Sequence, residues 1–324
     1  MYTFLPVPCH DYIFFIYNRY QIISVNMEMR GANMGKVKNK PGFIIYVLPV
    51  LVFVTMVVYI PFIMSMCYSF TEWNGISRAA KFIGLENFRL LFTEDGGFKD
   101  SAIFTLKFSV LFIVTINTLA VFLAVMLDKK LKTSGILRAG FFVPYILSMV
   151  IVGFIWRFIF IQGFETMGNL TNLGFFSWSW LGDAKLAFWS VLFVSIWQSV
   201  GFYIVIYIAG LQSIPVQLIE AAIIDGAGTV VRFFRVTIPL IMPSVTTCVF
   251  LALTNSIKIF DVIISLTNGG PGGSTTSITY DIYKEAFQNN SYGYGTAKAL
   301  VLFVAILLIT LVQVTFFKKK EVEM

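Results

Sequence analysis

A chain of 324 residues in which 57% are hydrophobic and 13% charged, with a mean hydropathy of +0.81, lacks the charge to cover a soluble surface of its size. A single-core soluble domain is excluded, and a polytopic membrane protein is expected. The net charge of +7 does not imply nucleic acid, because the basic residues flank apolar runs, where they set orientation in a bilayer.

Residues 1–33 form an odd extension. Positions 2–25 are apolar and aromatic, but Asp11, Asn18, Arg19 and Gln21 interrupt them and no basic stretch precedes them. The segment makes a poor signal peptide and a poor span. An amphipathic surface segment is one reading. The favoured one is translation from Met34, since Arg30-Gly31-Ala32 can be encoded by a purine-rich run just ahead of that methionine. Residues 34–42 form a basic N-terminus with Lys36, Lys38 and Lys40.

A span needs about 20 apolar residues. Within 43–317 such runs are expected at 43–66, 103–127, 139–161, 186–211, 240–266 and 299–317, followed by a basic tail at 318–324. Lys129, Lys130, Lys132 and Arg138, then Arg232 and Arg235, then Lys318, Lys319 and Lys320 fall on one side if both termini are cytoplasmic. The first loop opposite holds Arg78, Lys81, Arg89 and Lys99, diluted there by Glu72, Glu86, Glu94, Asp95 and Asp100.

The stretch 218–243, LIEAAIIDGAGTVVRFFRVTIPLIMP, is the least hydrophobic passage of its length between two long apolar runs. Glu220 opens a short helix in which Ala221 and Ala222 leave the backbone nearly bare on one side, so another surface can approach closely. Asp225-Gly226 supplies a break, since glycine accepts positive φ and aspartate tolerates the turn. Val231, Phe234 and Ile238 then recur at helical spacing, with Arg232 and Arg235 on the other flank, and Pro239 and Pro243 mark the next apolar run. An acidic handle beside a small-residue face on a membrane surface is a docking element for a soluble protein.

The order Glu220-Ala221-Ala222, Asp225-Gly226-Ala227, Ile238-Pro239-Leu240 and Pro243 resembles the EAA loop of ATP-binding cassette (ABC) importer permeases. The segment FIGLENF at 82–88, the run FFVPYILSMVIVGFIWRF at 141–158, Trp180 to Asp183, the run 195–215, the run 260–271 and Tyr292-Gly293-Tyr294-Gly295 are similar to the carbohydrate importers of that family. Among these the chain looks closer to the first permease subunit of the glycerol-phosphate and maltose-type pairs. It departs from the pattern at Gly228-Thr229, where the family more often has serine followed by a bulky residue.

The resemblance covers about 41–317. It implies an all-α, six-helix transmembrane bundle with a cytoplasmic EAA loop at about 212–243, in a bacterial-type plasma membrane. It also implies a second, different permease subunit, an ABC ATPase dimer, an extracytoplasmic solute-binding protein and a sugar substrate. Glu220 would anchor the loop in the ATPase, Ala221 and Ala222 would allow close approach, Gly226 would set the angle between its helices, and Asp225 and Ala227 complete the implied ATPase-coupling residues.

The remaining constellations carry less. The run NGGPGGS at 268–274 lacks the lysine that a phosphate-binding P-loop requires, and is expected as a flexible outer connection where a substrate-delivering protein docks. With no Walker A motif elsewhere, ATP hydrolysis falls to a separate subunit, and no catalytic residue is expected. Cys9, Cys67 and Cys248 form no paired spacing and His10 is the sole histidine, so no disulfide framework, metal site or cofactor is expected.

Polar residues inside spans are costly and face a cavity or a neighbouring helix. Asn255, Lys258 and Asp261 recur every third residue and are expected to share a helical face. They form either a polar stripe along a substrate path or, for Lys258 and Asp261, a mutually neutralising pair. Trp197, Gln198 and Tyr203 can combine an aromatic platform with hydrogen-bonding groups, or simply pack, and Arg157 is expected to snorkel. A permease for a non-sugar solute stays open as an alternative. A secondary transporter would call for buried ion-coordinating groups and inverted repeats, and no convincing internal repeat is found. A membrane-embedded enzyme would need a catalytic constellation, and no expected span holds a histidine.

Overall fold

A computed structural model of the protein describes residues 41–128, 133–171 and 173–318. The extension at 1–33, the flanking lysines Lys36, Lys38, Lys40, Lys129, Lys130, Lys132, Lys319 and Lys320, and the tail after Lys318 lie outside the described residues. The chain forms two units, Met1–Met64 and Ser65–Met324. Helix α1 (Pro41–Val54) passes through a π turn at Thr55–Tyr59 into α2 (Ile60–Tyr68). Apart from Thr55 and Tyr59 its residues from 48 to 64 are apolar on every flank, as a lipid-surrounded helix requires, and Val47–Tyr68 is long enough to cross.

In the second unit, β1 (Thr71–Glu72) pairs antiparallel with β2 (Lys81–Phe82), Thr71 opposite Phe82 and Glu72 opposite Lys81. Helix α3 (Glu86–Thr93) follows, and the Asn87 amide donates to the Ser69 and Thr71 carbonyls at 2.9 and 3.0 Å, fastening the segment 82–88 to the hairpin. Helix α4 (Gly96–Leu127) buries Phe104, Phe108, Phe112, Ile116, Ala120 and Ala124, one every fourth residue. That spacing lays a row inclined to the helix axis, drifting about 40° at each step. Phenylalanines fill its first half, and alanines in the second let neighbouring helices come close.

Next come α5 (Ser134–Ile146), α6 (Met149–Phe158) and, after a π turn at Ile159–Gly163, α7 (Phe164–Thr171). Helix α8 (Ala184–Gln212) starts on Asp183, whose carboxylate accepts from the Lys185 and Leu186 amides at 2.9 and 3.0 Å. It runs parallel to α4. The Phe104 and Phe188 rings meet edge to face at 5.6 Å near the heads, and Gln212 Nε2 donates to Asp128 Oδ1 at 3.1 Å at the tails. Arg138, which the sequence offers only as a topology signal, donates to the Leu127 carbonyl at 2.8 Å and so caps the end of α4.

The chain continues through α9 (Val216–Ile224), α10 (Thr229–Arg232), a π turn at Phe233–Thr237, α11 (Ile238–Leu240) and α12 (Met242–Ile257). A π turn at Ile263–Thr267, α13 (Ile278–Tyr283), a π turn at Lys284–Gln288 and α14 (Tyr292–Lys318) complete it.

Two of the expected spans are corrected. The run at 139–161 is not one helix: it breaks after Ile146, and the helix long enough to cross is Met149–Thr171. The run at 240–266 stops at Ile257, and Thr229–Leu240 with Met242–Ile257 forms a pair bent by 72°. Among the described residues five helices are long and apolar enough to span, or six with the bent pair counted as one.

Candidate functional site

The two breaks share one cavity. At the first, Leu147 and Ser148 take extended backbone, with ψ of 141° and 133°, just after Pro144. A carbonyl released inside a span has no water to bond. Here the Gln198 amide of α8 donates to the carbonyls of Tyr145 and Leu147 at 3.4 and 3.2 Å. At the second, Lys258 has turn geometry (φ −90°, ψ 15°), and the freed Ile259 carbonyl accepts from Ser277 Oγ at 2.7 Å. Non-helical backbone persists at membrane depth only where protein buries it or where it lines a cavity. A cavity of about 260 Å³ lies between them. Tyr145 and Met149 line it from the first break, Asn255, Lys258 and Asp261 from the second, Ser195, Gln198 and Ser199 from α8, and Phe108 and Phe112 from α4.

The expected helical face of Asn255, Lys258 and Asp261 is therefore corrected. The helix ends between the first and the other two, yet the cavity brings all three together, each exposed. Lys258 and Asp261 do not neutralise each other. Among the described residues the ion pairs are Lys81 with Glu72, Arg89 with Glu86, and Lys298 with Asp95, Asp281 and Glu285.

Gln198 reaches the cavity, whereas Trp197 and Tyr203 do not. Trp197 meets the edge of Trp156 at 5.4 Å and lines an apolar groove with Leu119, Phe141, Pro144 and Phe193. Tyr203 is fully buried, its hydroxyl beside the Asn255 side chain but without a partner in hydrogen-bonding geometry. The aromatic ring the cavity does present on this side is Tyr145, stacked on Phe202 at 4.6 Å. Sequence reasoning missed it, although a tyrosine next to Pro144 inside an apolar run is the available signal.

The second candidate element is the helix–turn–helix of α9 and α10. Helix α9 closes with the Ala227 amide on the Ala222 carbonyl and the Gly226 amide on the Ile223 carbonyl, each at 3.0 Å. This is the Schellman arrangement, which requires a left-handed residue after the cap, and Gly226 supplies it with φ of 78°. Glu220, Ala221, Asp225 and Gly226 are exposed and Ala222 and Ala227 half-buried. Beside them Ile224 is 85% exposed and Phe234 65%. An exposed apolar patch of this kind beside the Glu220 and Asp225 carboxylates marks a protein contact.

The run 268–274 is more ordered than a flexible connection. Thr275 Oγ1 bonds to the Gly270 carbonyl at 2.7 Å and to Thr267 Oγ1 at 2.8 Å, and Tyr280 donates to Asn268 Oδ1 at 2.9 Å. Asn268, Gly269, Gly272 and Gly273 all have positive φ, so the glycines serve a tight knot. Arg157 is exposed on α6.

Comparison with known proteins agrees with this architecture. Residues 116–321 match the family of binding-protein-dependent transport system inner membrane components. The chain is 42% identical over 287 residues, 89% of it and 97% of the relative, to the "Probable starch degradation products transport system permease protein AmyD" of Thermoanaerobacterium thermosulfurigenes. It is 38% identical, over 82% of it and 91% of the relative, to the "Multiple sugar-binding transport system permease protein MsmF" of Streptococcus mutans. Its fold is similar to a chain of a bacterial ABC transporter involved in import of the acidic polysaccharide alginate, with a TM-score of 0.74, 22% identity, and coverage of 86% of this chain and 95% of that one.

Proposed function

The chain belongs to the binding-protein-dependent transport system inner membrane components, and on that premise we propose that it is the integral permease subunit of an ATP-driven importer for a sugar or related carbohydrate. The observation that carries the reading is the coexistence of an exposed helix–turn–helix, α9 and α10, with a polar cavity at two helix breaks. α9 follows α8 and precedes α12, and those helices contribute walls of the cavity. A push on the loop is thereby transmitted to the cavity.

In this reading the loop sits in a cleft of a separate ABC ATPase dimer. Glu220 anchors it, Ala221 and Ala222 allow close approach, and Asp225, Gly226 and Ala227 hold the angle. Closure of the dimer moves α9 and swings the cavity from one side to the other. A second, different permease subunit completes the path, and an extracytoplasmic solute-binding protein delivers the solute at the opposite end, beside 268–274. The loop and both termini lie in the cytoplasm of a bacterial-type plasma membrane. Asn255 offers donor and acceptor to hydroxyl groups, Gln198 and the serines of α8 extend the polar wall, and the unpaired Lys258 and Asp261 face the path. Trp197 and Tyr203 support the wall from behind.

The test is reconstitution with the second permease, the ATPase and the binding protein. Labelled saccharide should enter only when ATP is supplied on the loop side. Uptake driven by an ion gradient without ATP would overturn the importer in favour of a secondary transporter. ATP-driven uptake restricted to a non-sugar solute would overturn the sugar while sparing the permease.

A further inference from the structure

At the end of the bundle away from α9, Lys298 bridges three carboxylates. Its Nζ lies 2.8 Å from Asp95 Oδ2, 2.8 Å from Asp281 Oδ2 and 3.3 Å from Glu285 Oε2. The lysine side chain is 2% exposed and the most open acid 18%, so water screens the charges weakly. The Tyr294 ring stands 4.9 Å from the ammonium and the Phe98 ring 6.0 Å. Three elements meet at this point: the head of α4, the α13 segment with its π turn, and the head of α14. One ammonium among three carboxylates leaves two negative charges in excess, and close carboxylates resist ionising together.

The acids are not equivalent. Asp95 Oδ1 accepts the Phe98 amide as the cap of α4 at 2.8 Å, and its Oδ2 accepts the Tyr294 hydroxyl at 2.8 Å. Burial pushes the Asp95 carboxyl up, but those bonds and Lys298 outweigh it and hold it below the ordinary carboxylate value. Asp281 has Lys298 as its one side-chain donor among the described residues, and Asp95 and Glu285 face it as like charges. Burial, opposed by Lys298 and reinforced by those two acids, holds the Asp281 carboxyl above the ordinary value.

We propose that the cluster is a proton-operated latch: a proton taken up by Asp281 removes its repulsion with Asp95 and Glu285, and the existing Lys298–Asp95 pair then holds the head of α4 to the head of α14 more firmly. The two acids respond to pH with opposite signs. Asp281, raised in the folded protein, adds stability in acid that is lost as pH rises through its raised value. Asp95, depressed, adds stability at neutral pH that is lost as pH falls through its lowered value. The latch is therefore firmest in mild acid, looser at neutral pH, and open in strong acid. Taking this end as external rests on the orientation proposed above, and in that orientation the acidity of the medium sets the latch.

Infrared difference spectra of the permease in its native membrane assembly, between neutral and mildly acid pH, test it directly. Wild type should show a newly protonated carboxyl, which Glu285→Gln keeps and Asp281→Asn loses. In uptake measured against external pH, Asp281→Asn should stay active with a flat profile across mild acid. Asp95→Asn, which strips a buried lysine of its best partner, should lower the assembled permease by about tenfold or more. A carboxyl signal that persists in Asp281→Asn, or a wild-type pH profile in that variant, overturns the latch. If Asp281→Asn does not accumulate, wild type alone decides, because no carboxyl protonation between neutral and mild acid also overturns it. The spectra need no transported solute, so failure of the sugar reading and failure of the latch are told apart.

Discussion

Tyr207 donates its hydroxyl to Asn117 Oδ1 at 2.6 Å, and the Asn117 amide donates in turn to the Ile113 carbonyl at 2.7 Å. The bond joins α8 to α4 well inside both helices, with Tyr207 1% exposed. In hydrocarbon such a bond draws its value from the cost of the unpaired alternative, and measured cases average well below 2 kcal/mol. Tyr207→Phe should therefore lower stability in detergent by about 1 kcal/mol. The double variant with Asn117→Leu should lose less than the sum of the two single losses. Strict additivity would show that the pair is not coupled.

Gly201 makes the second contact that holds the cavity together. A β-carbon there would collide with the Phe141 carbonyl and approach Phe142 Cα to 2.8 Å, and both obstacles are backbone. α5 can lie against α8 only because this side chain is missing. Gly201→Leu should separate the two helices, destabilise by about 1–3 kcal/mol or more, and pull Gln198 from the Tyr145 and Leu147 carbonyls. Protease accessibility around 147–148 reads this out, and unchanged protection would count against the close approach as a structural requirement.

The sequence made four of the six spans and the helix–turn–helix of α9 and α10 legible because each has a compositional or periodic signature. The cavity was half legible. Asn255, Lys258 and Asp261 stood out as polar residues in an apolar run, and they do line it. Their arrangement was not legible, since hydropathy is blind to a backbone break that leaves composition unchanged. Pro144 hints at the first break, while at the second the freed Ile259 carbonyl is satisfied by a hydroxyl that Ser277 donates from eighteen residues away. Lys298 went unnoticed for a related reason. It sits one residue before the apolar run expected at 299–317, and its partners Asp95, Asp281 and Glu285 are brought to it only by the fold.

Asn255 offers the cleanest test of the cavity. It is exposed on the cavity side of α12, and its side chain lies beside the buried Tyr203 hydroxyl. Asn255→Leu keeps the branched outline and the number of heavy atoms and removes both donor and acceptor. Transport should fall, by about tenfold for the loss of one or two substrate hydrogen bonds, with assembly and ATPase binding intact. Unchanged transport kinetics would return Asn255 to a packing role.

Gly226 separates conformation from size. Nothing lies within 4 Å of a β-carbon built there, so added bulk meets no neighbour, but φ of 78° strains any L-residue. Asparagine tolerates that region better than most side chains, and proline, fixed near −65°, cannot enter it. Uptake should follow Gly, then Asn, then Val, with Gly226→Pro abolishing it while the permease stays in the membrane. Equal uptake by the Asn and Val variants would show that the left-handed turn is not what the loop needs.

Glu220 is the sharpest prediction of the coupling reading. Its carboxylate is exposed in α9 and takes part in none of the ion pairs or side-chain hydrogen bonds among the described residues, so the fold itself makes no use of it. A charge that served solubility alone would be interchangeable with another charge. It stands instead among exposed apolar side chains, Leu218, Ile223 and Ile224, where a partner that covers the patch would also desolvate the carboxylate. Once desolvated it needs a donor from that partner, and losing one member of such a pair leaves the other buried and unmatched. Glu220→Lys should therefore weaken retention of the ATPase by about two orders of magnitude, measured by co-purification, and abolish uptake without lowering permease in the membrane. Glu220→Gln, which keeps the shape and an acceptor oxygen, should fall between the two. Full uptake and full retention with lysine at this position would reduce Glu220 to a solvated surface charge and remove the anchor from the loop.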